Sequence, residues 1–230
     1  MTPAFTPDSA VNQSVIVGSD IVSFTVGVSA ARREAITNSA LLAQLVANKR
    51  VPDSTEVEAW YQAYFDVLTH VGWVVQERGF STFEASSRQA DVAGAILSVA
   101  ETIFGGAATT AYKVIKATLE GLQKMHEHSP WITLFERESH HANHARFQIA
   151  LAHSGEKDDF LVSLMAFSLK ASASFSQVLF FKYREREATL KHFSGSVSIN
   201  DTLLMQISND IKAKVENFTL GYVKALPDLA

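Results

Sequence analysis

Histidines are the residues of this chain whose type and spacing come nearest to chemistry. Five of the eight lie within nineteen residues: His126 and His128 before Pro130, then His140, His141 and His144 in ESHHANHARF. On a helix, His140 and His144 would share one face at i, i+4 and could hold a divalent metal through neutral imidazole nitrogens. Glu136 or Glu138 would then supply an oxygen ligand. The surrounding pattern predicts a hairpin loop instead, so the expectation is no bound metal, with His140 and His144 the candidates for one. The alternative chemistry is pH sensing by His140, His141 and His144, because imidazole titrates near pH ~6.5. Mild acid would charge the cluster and loosen the adjoining hairpin or promote contact with a membrane.

No other constellation carries chemistry. The sequence has no GxSxG elbow, HExxH helix, P-loop or GxGxxG turn. Asp158 and Asp159 are adjacent and suit a turn better than a paired-acid site, and the alternating run Arg184, Glu185, Arg186, Glu187 reads as a solvated turn. The expectation is a protein without enzymatic activity and without a cofactor. An enzyme with a dispersed site is the alternative.

Composition narrows the partners. With 230 residues, 47% hydrophobic and 19% charged, the chain reads as globular, and one domain is the economical division. A net charge of -4 and a pI near 6.1 argue against a nucleic-acid surface. The absence of cysteine removes disulfides, thiolate metal sites and cysteine nucleophiles. The first residues, MTPAFTPDSAVNQSVIVG, lack the basic and apolar regions of a signal peptide. The expected location is the cytoplasm of a bacterium, or outside it after release without signal-peptide export.

The elements that would position these residues follow from periodicity. Ile21 to Val28 is strand or buried helix start, left open. Ala30 to Asn48 reads as a helix, with Ile36, Leu41, Leu42, Leu45 and Val46 on one side and Arg32, Arg33, Glu34, Asn38 and Gln44 on the other. Asp53 and Glu56 read as a capping box for a helix carrying Val57, Trp60, Tyr61, Tyr64 and Leu68, stopped at Gly72. Trp60, Tyr61, Tyr64 and Trp73 fit core packing, with ligand stacking or a membrane interface as the alternative. Trp73 to Val75 and the stretch around Phe80 and Phe83 are short extended segments.

Val92 to Ile115, VAGAILSVAETIFGGAATTAYKVI, contains two charges in twenty-four residues. Gly105 and Gly106 divide it into two arms, each too short to cross a bilayer core, which needs about 20 apolar residues. It predicts an apolar helical hairpin. Ile96, Val99, Ile103 and Phe104 form the arc of the first arm, and Tyr112, Ile115, Leu119 and Leu122 the stripe of the second.

After Pro130 the period shortens to two. Strands are expected near Ile132 to Arg137, Arg146 to His153, Phe160 to Ala171, Gln177 to Arg184 and Thr189 to Val197, with a turn at Ser154 to Asp159. The segments FLVSLMAFSL and QVLFFKY are apolar on both pleat faces and require cover on both sides. A helix from Asp201 to about Leu226 closes the chain before Pro227. The fold class is therefore α+β: an antiparallel β-meander covered by helices, with helices over about 30–128, sheet over about 131–198 and the last helix over 201–226.

NSALLAQLVANKR (Asn38 to Arg50) and WYQAYFDVLTHVGWVVQ (Trp60 to Gln76), with the later FQIA and VLFFKY runs in matching order, resemble a scattered group of uncharacterised microbial proteins. That resemblance implies a shared fold across most of the chain. By architecture the chain is also similar to cytolytic α/β toxins, in which helical hairpins wrap a central antiparallel sheet and peel away at a membrane, although this chain ends in a helix rather than a strand. Membrane-active, toxin-like binding is the functional expectation, through Ile96, Val99, Ile103, Phe104, Gly105, Gly106, Tyr112 and Ile115. The expected partners are a lipid membrane or a second copy of the chain, with no nucleic acid and no small-molecule ligand. The alternative is a self-associating module that uses the two-sided sheet or the aromatic helix.

Overall fold

Two short runs of β-branched residues, Val15 to Val17 and Ile21 to Val22, on either side of a glycine build an N-terminal hairpin. Gln13–Val17 (β1) pairs antiparallel with Asp20–Phe24 (β2), and Gly18 turns between them at a φ of 58°. Gly18 is required twice over. Its φ favours glycine, and a Cβ there would run into the Gln44 carboxamide. The open choice at Ile21 is thus strand, with every residue of β2 buried.

The computed structural model describes residues 6–75, 81–83, 91–125, 129–154, 160–172, 174–175, 177–179 and 188–225. His126, His128, Phe80, the acidic turn with Asp158 and Asp159, the run Arg184 to Glu187, most of the expected strand to Arg184, and Pro227 lie outside them. After β2 come helices α1 (Ala30–Arg50) and α2 (Val57–His70), then short strands β3 (Trp73–Val74) and β4 (Ser81–Phe83). The hairpin helices α3 (Val92–Ile103) and α4 (Thr110–Lys124) follow, then α5 (Pro130–Ser139) and β5 (His140–His141). Strands β6 (His144–Ser154), β7 (Phe160–Ala171) and β8 (Ala188–Ile199) and helix α6 (Asp201–Ala225) complete the chain.

The fold is α+β, with one mixed, mostly antiparallel sheet in the order β1-β2-β6-β7-β8-β3, β4 also pairing with β8 and β5 with β6. The β6-β7-β8 meander is antiparallel as expected, whereas β2 and β6 run parallel, with Ile21 opposite Ile149. Five helices intervene between those two strands, and a long crossover is what a parallel pair needs. Helix and sheet regions are therefore interleaved rather than consecutive: β1 and β2 precede the helices, and α5 lies where a strand was expected.

Three local expectations change. Ile132 to Arg137 is helical because Pro130 occupies the first turn, and Ile132, Phe135 and Ser139 at i, i+3, i+7 turn one stripe inward, outweighing the two-residue alternation. Gln177 to Leu179 is not strand, and Val178 and Leu179 are buried in an irregular segment. Asp53 makes a local turn, accepting from Thr55 N at 2.8 Å and Thr55 Oγ1 at 2.7 Å, so the N-cap of α2 is Glu56, which makes no side-chain capping bond.

Two helical layers cover the sheet. On one face α1, α2 and α6 pack with Val22, Phe24, Ala150, Val162, Leu164 and Phe193. On the other, α3, α4 and α5 pack with Ile21, Phe147, Ile149, Met165, Phe167 and Leu169. That explains the two-sided apolar pattern of β7.

Candidate functional site

The apolar hairpin is assembled from two well-capped helices and a glycine turn. Asp91 caps α3 by accepting from Gly94 N at 2.7 Å, and Thr109 caps α4 by accepting from Tyr112 N at 3.3 Å. At the end of α3, Gly106 N donates back to Glu101 O at 2.9 Å while Gly105 takes a φ of 70°, a Schellman-type stop that only glycine enters without strain. Gly106 has a φ of 125°, and neither glycine has a neighbour where a Cβ would sit.

The fold brings the hairpin's predicted residues into one cluster. Ile96, Val99 and Ile115 are buried, and Ile103, Phe104 and Tyr112 pack half-buried against the same core. Lys113, Lys116 and Lys124 project outward with Glu101 and Glu120. Among the described residues, side-chain hydrogen bonds from α3 or α4 to the sheet run through Thr118 alone. Its hydroxyl lies 2.8 Å from Ser14 Oγ and 3.3 Å from Ser23 Oγ. Beside this contact a cavity of about 290 Å³, lined mainly by Val15, Ile16, Ile21, Ala117 and Leu122, separates α4 from β1 and β2. No helix among the described residues is long and apolar enough to cross a membrane.

The opposite face is held by polar side chains that the sequence reading placed on the solvent side. Arg33 and Gln44 are buried, because Arg33, Ile36, Ala40, Ala43 and Ala47 form the inward stripe of α1, with Gln44 beside it. The Arg33 guanidinium donates to the carbonyls of Val28 (2.9 Å), Thr25 (2.8 Å) and Val11 (3.0 Å) and to Gln13 Oε1 (3.1 Å). It also lies over the Phe24 ring at 5.3 Å. Gln44 Oε1 accepts from Ser19 N at 2.9 Å and Gln44 Nε2 donates to Val17 O at 2.7 Å.

The network continues across the sheet. Ser19 Oγ donates to Gln148 Oε1, Gln148 Nε2 donates to Tyr61 Oη, and Tyr61 Oη donates to Phe167 O at 2.7 Å. Tyr64 donates to Asp20 Oδ2 at 3.0 Å. Full burial pushes the Asp20 carboxyl up to about pKa 8, so it is mostly neutral at pH 7, and burial raises both tyrosines. The aromatic helix is core: Trp60, Tyr61 and Tyr64 are each 1% exposed. The legible signal was Asp20 standing as the one charged residue between the β-branched runs of SVIVGSDIVSF.

His140, His141 and His144 stand on strands, not on a helix. β5 and β6 are joined by Ala142 and Asn143, with His140 opposite Ala145 and His141 opposite His144. The shared helical face needed by the metal reading of His140 and His144 is therefore absent. No group of three or more metal-ligating side chains occurs among the described residues. Ala142 has a φ of 53°, the left-handed region in a non-glycine residue. His140, His141 and His144 instead line a hollow of about 170 Å³ with Arg137 and Arg146. Partial burial and then Lys170 lower the pKa of His144, against the opposing field of Asp53. Nearby, burial pushes Glu136 up to about pKa 7, although its Oε2 accepts from Val178 N at 2.7 Å.

No family model and no curated protein sequence matches the chain. Among solved structures, it is similar to a delta-endotoxin with 13% identity and a TM-score of 0.43, over 87% of this chain and 92% of that one. It is also similar to the Evf virulence factor, with 11% identity and a TM-score of 0.39, over 90% of this chain and 82% of that one. At this identity and superposition no site residue carries across.

Proposed function

We propose that the chain is a non-enzymatic, membrane-active protein in which the α3–α4 hairpin leaves the sheet at a lipid surface. The observation that carries this is the attachment of the hairpin: apolar packing over a cavity, with Thr118 as its hydrogen-bonded tie to the sheet among the described residues. In water that packing is strong, since each large aliphatic side chain contributes roughly 1.5–3 kcal/mol on full burial. Against acyl chains the same contacts lose their hydrophobic driving force, because lipid is as apolar as leucine. Leaving for lipid would thus cost the helices little, and the vacated sheet face, with Phe147, Ile149, Met165 and Phe167, would have to meet lipid as well. The outward lysines of α4 favour an anionic surface. The surfaces read from sequence as self-association interfaces, the sheet faces and the aromatic helix, are covered within the chain itself.

A reversible lock tests the reading. Ser14 Oγ and Thr118 Oγ1 lie 2.8 Å apart, and the chain has no native cysteine, so the Ser14→Cys, Thr118→Cys pair can clamp α4 to β1. Dye release from anionic vesicles should be abolished in the oxidised variant and return on reduction. Equal release from both forms, or no release by the wild-type protein from any vesicle, would overturn the proposal.

A further inference from the structure

We infer that the hollow between the end of α1, the end of α5 and the β5–β6 turn binds a phosphate oxyanion, free or as a lipid headgroup. This inference does not rest on the movement of the hairpin.

Five basic side chains, Arg137, His140, His141, His144 and Arg146, converge on one cavity of about 170 Å³. Three residues of its lining also carry buried polar atoms without a hydrogen-bond partner: Ser139 Oγ, His140 Nε2 and Arg146 Nε. A guanidinium nitrogen only donates, a hydroxyl donates, and an imidazole nitrogen donates when it bears its proton. Arg146 Nε lacks an acceptor, and the same acceptor-rich group would also serve the Ser139 hydroxyl and a protonated His140 Nε2. Buried groups of this kind are costly to leave unpartnered, so the site is completed by a ligand rich in acceptor oxygens.

Negative charge is selected by the guanidinium groups. Arg146 is held against the Trp60 ring at 4.5 Å, and its Nη2 donates to Asn48 Oδ1 at 3.1 Å, leaving Nε without a partner. Arg137 is paired with Glu138 at 2.8 Å on the exposed rim, an internal carboxylate that an incoming anion would displace. The left-handed Ala142 sets the turn that places His141 opposite His144, and strain of this kind clusters at ligand clamps. A cation is opposed by both arginines. A phosphate group offers acceptors to donors arriving from two helix ends and a hairpin, where a carboxylate offers two oxygens.

The test titrates the full chain with inorganic phosphate in phosphate-free, low-salt buffer by calorimetry. In parallel, it measures sedimentation with phosphatidylcholine vesicles with and without phosphatidic acid. Saturable binding is expected, weakened at least ten-fold by Arg137→Ala with His141→Ala; both side chains are exposed, and unchanged circular dichroism would confirm folding. Arg146→Lys, which keeps the charge but removes Nε, should weaken it as well. Binding of inorganic phosphate that vesicles do not compete for identifies a free ligand. Binding confined to phosphatidic acid vesicles and lost in the double variant identifies a headgroup. No binding in either arm, or binding that the variants leave unchanged, overturns the inference. The clamped Ser14→Cys, Thr118→Cys protein should bind inorganic phosphate as the wild type does, which separates this result from the fate of the hairpin reading.

Discussion

The two faces of the sheet are each covered by helices that bury an apolar core, but the helices are attached in different ways. On the α1, α2 and α6 face, Arg33, Gln44, Tyr61 and Tyr64 tie helices to strand ends and carbonyls through buried hydrogen bonds. Ion pairs from Arg32 to Asp201 and from Lys212 to Glu34 join α1 to α6, although at partly exposed sites such pairs add little. On the α3 and α4 face, one threonine hydroxyl makes the corresponding tie among the described residues. The difference matters at a membrane. Apolar contacts can be exchanged for lipid, whereas each polar group stripped of its partner in an apolar medium is left unsatisfied. On the proposed function, one layer is the part that stays and the other the part that leaves.

The largest effect should come from the locked layer. Arg33→Met leaves the carbonyls of Val28, Thr25 and Val11 without their donor, and a loss on the order of 3–5 kcal/mol is expected in urea denaturation. A loss below about 1 kcal/mol would break the comparison, because the face would then not depend on its polar ties.

Asp20 comes next, read through pH. Its folded-state pKa is raised from 3.8 to about 8, so its contribution is fully present below the unfolded value and is lost as pH rises through 8. Wild-type stability should fall from about pH 4 to pH 8 by up to about 1.4 kcal/mol per unit on this account and level off above pH 8. Asp20→Asn should flatten that slope, measured as urea midpoints across the range. Glu136, raised from 4.5 to about 7, works in the same direction over its own range. His144 and His192 are lowered from 6.5 by partial burial, so what they contribute is present above 6.5 and lost as pH falls through their folded values. Acid therefore stabilises through the carboxyls and destabilises through these two histidines.

Ile115→Ala should cost about 2–4 kcal/mol in water, as expected for a fully buried aliphatic side chain, and should hasten vesicle leakage per folded molecule. The smallest effect on stability should be that of Thr118→Val, about 1 kcal/mol or less, accompanied by faster leakage. A matched Gln44→Leu change on the other face should lower stability without speeding leakage. Faster leakage from Gln44→Leu than from Thr118→Val would reverse the assignment of mobile and fixed layers.

Much of the fold was legible because it is written in periodicity. The apolar arms around Gly105 and Gly106, the long strand from Phe160 to Ala171 and the terminal helix all carry their period within a dozen residues or more. Short stretches were less legible. Pro130 to Ser139 supports both a two-residue and a three-to-four-residue reading, and its burial against the sheet decided between them. The candidate hollow was half legible: the histidines were conspicuous in sequence, but Arg137, Ser139 and Arg146 gave no sign of joining them.

By itself, then, the sequence determined the α+β class, the apolar hairpin and the need to cover both faces of the sheet, since these depend on local pattern and net burial. The tertiary structure alone decided that β2 runs parallel to β6, that Arg33 and Gln44 point inward, and that the histidines meet two arginines. The first outcome joins strands more than a hundred residues apart, and the other two depend on how nearer segments fold onto one another to satisfy hydrogen bonds and charge, which short-range periodicity does not encode.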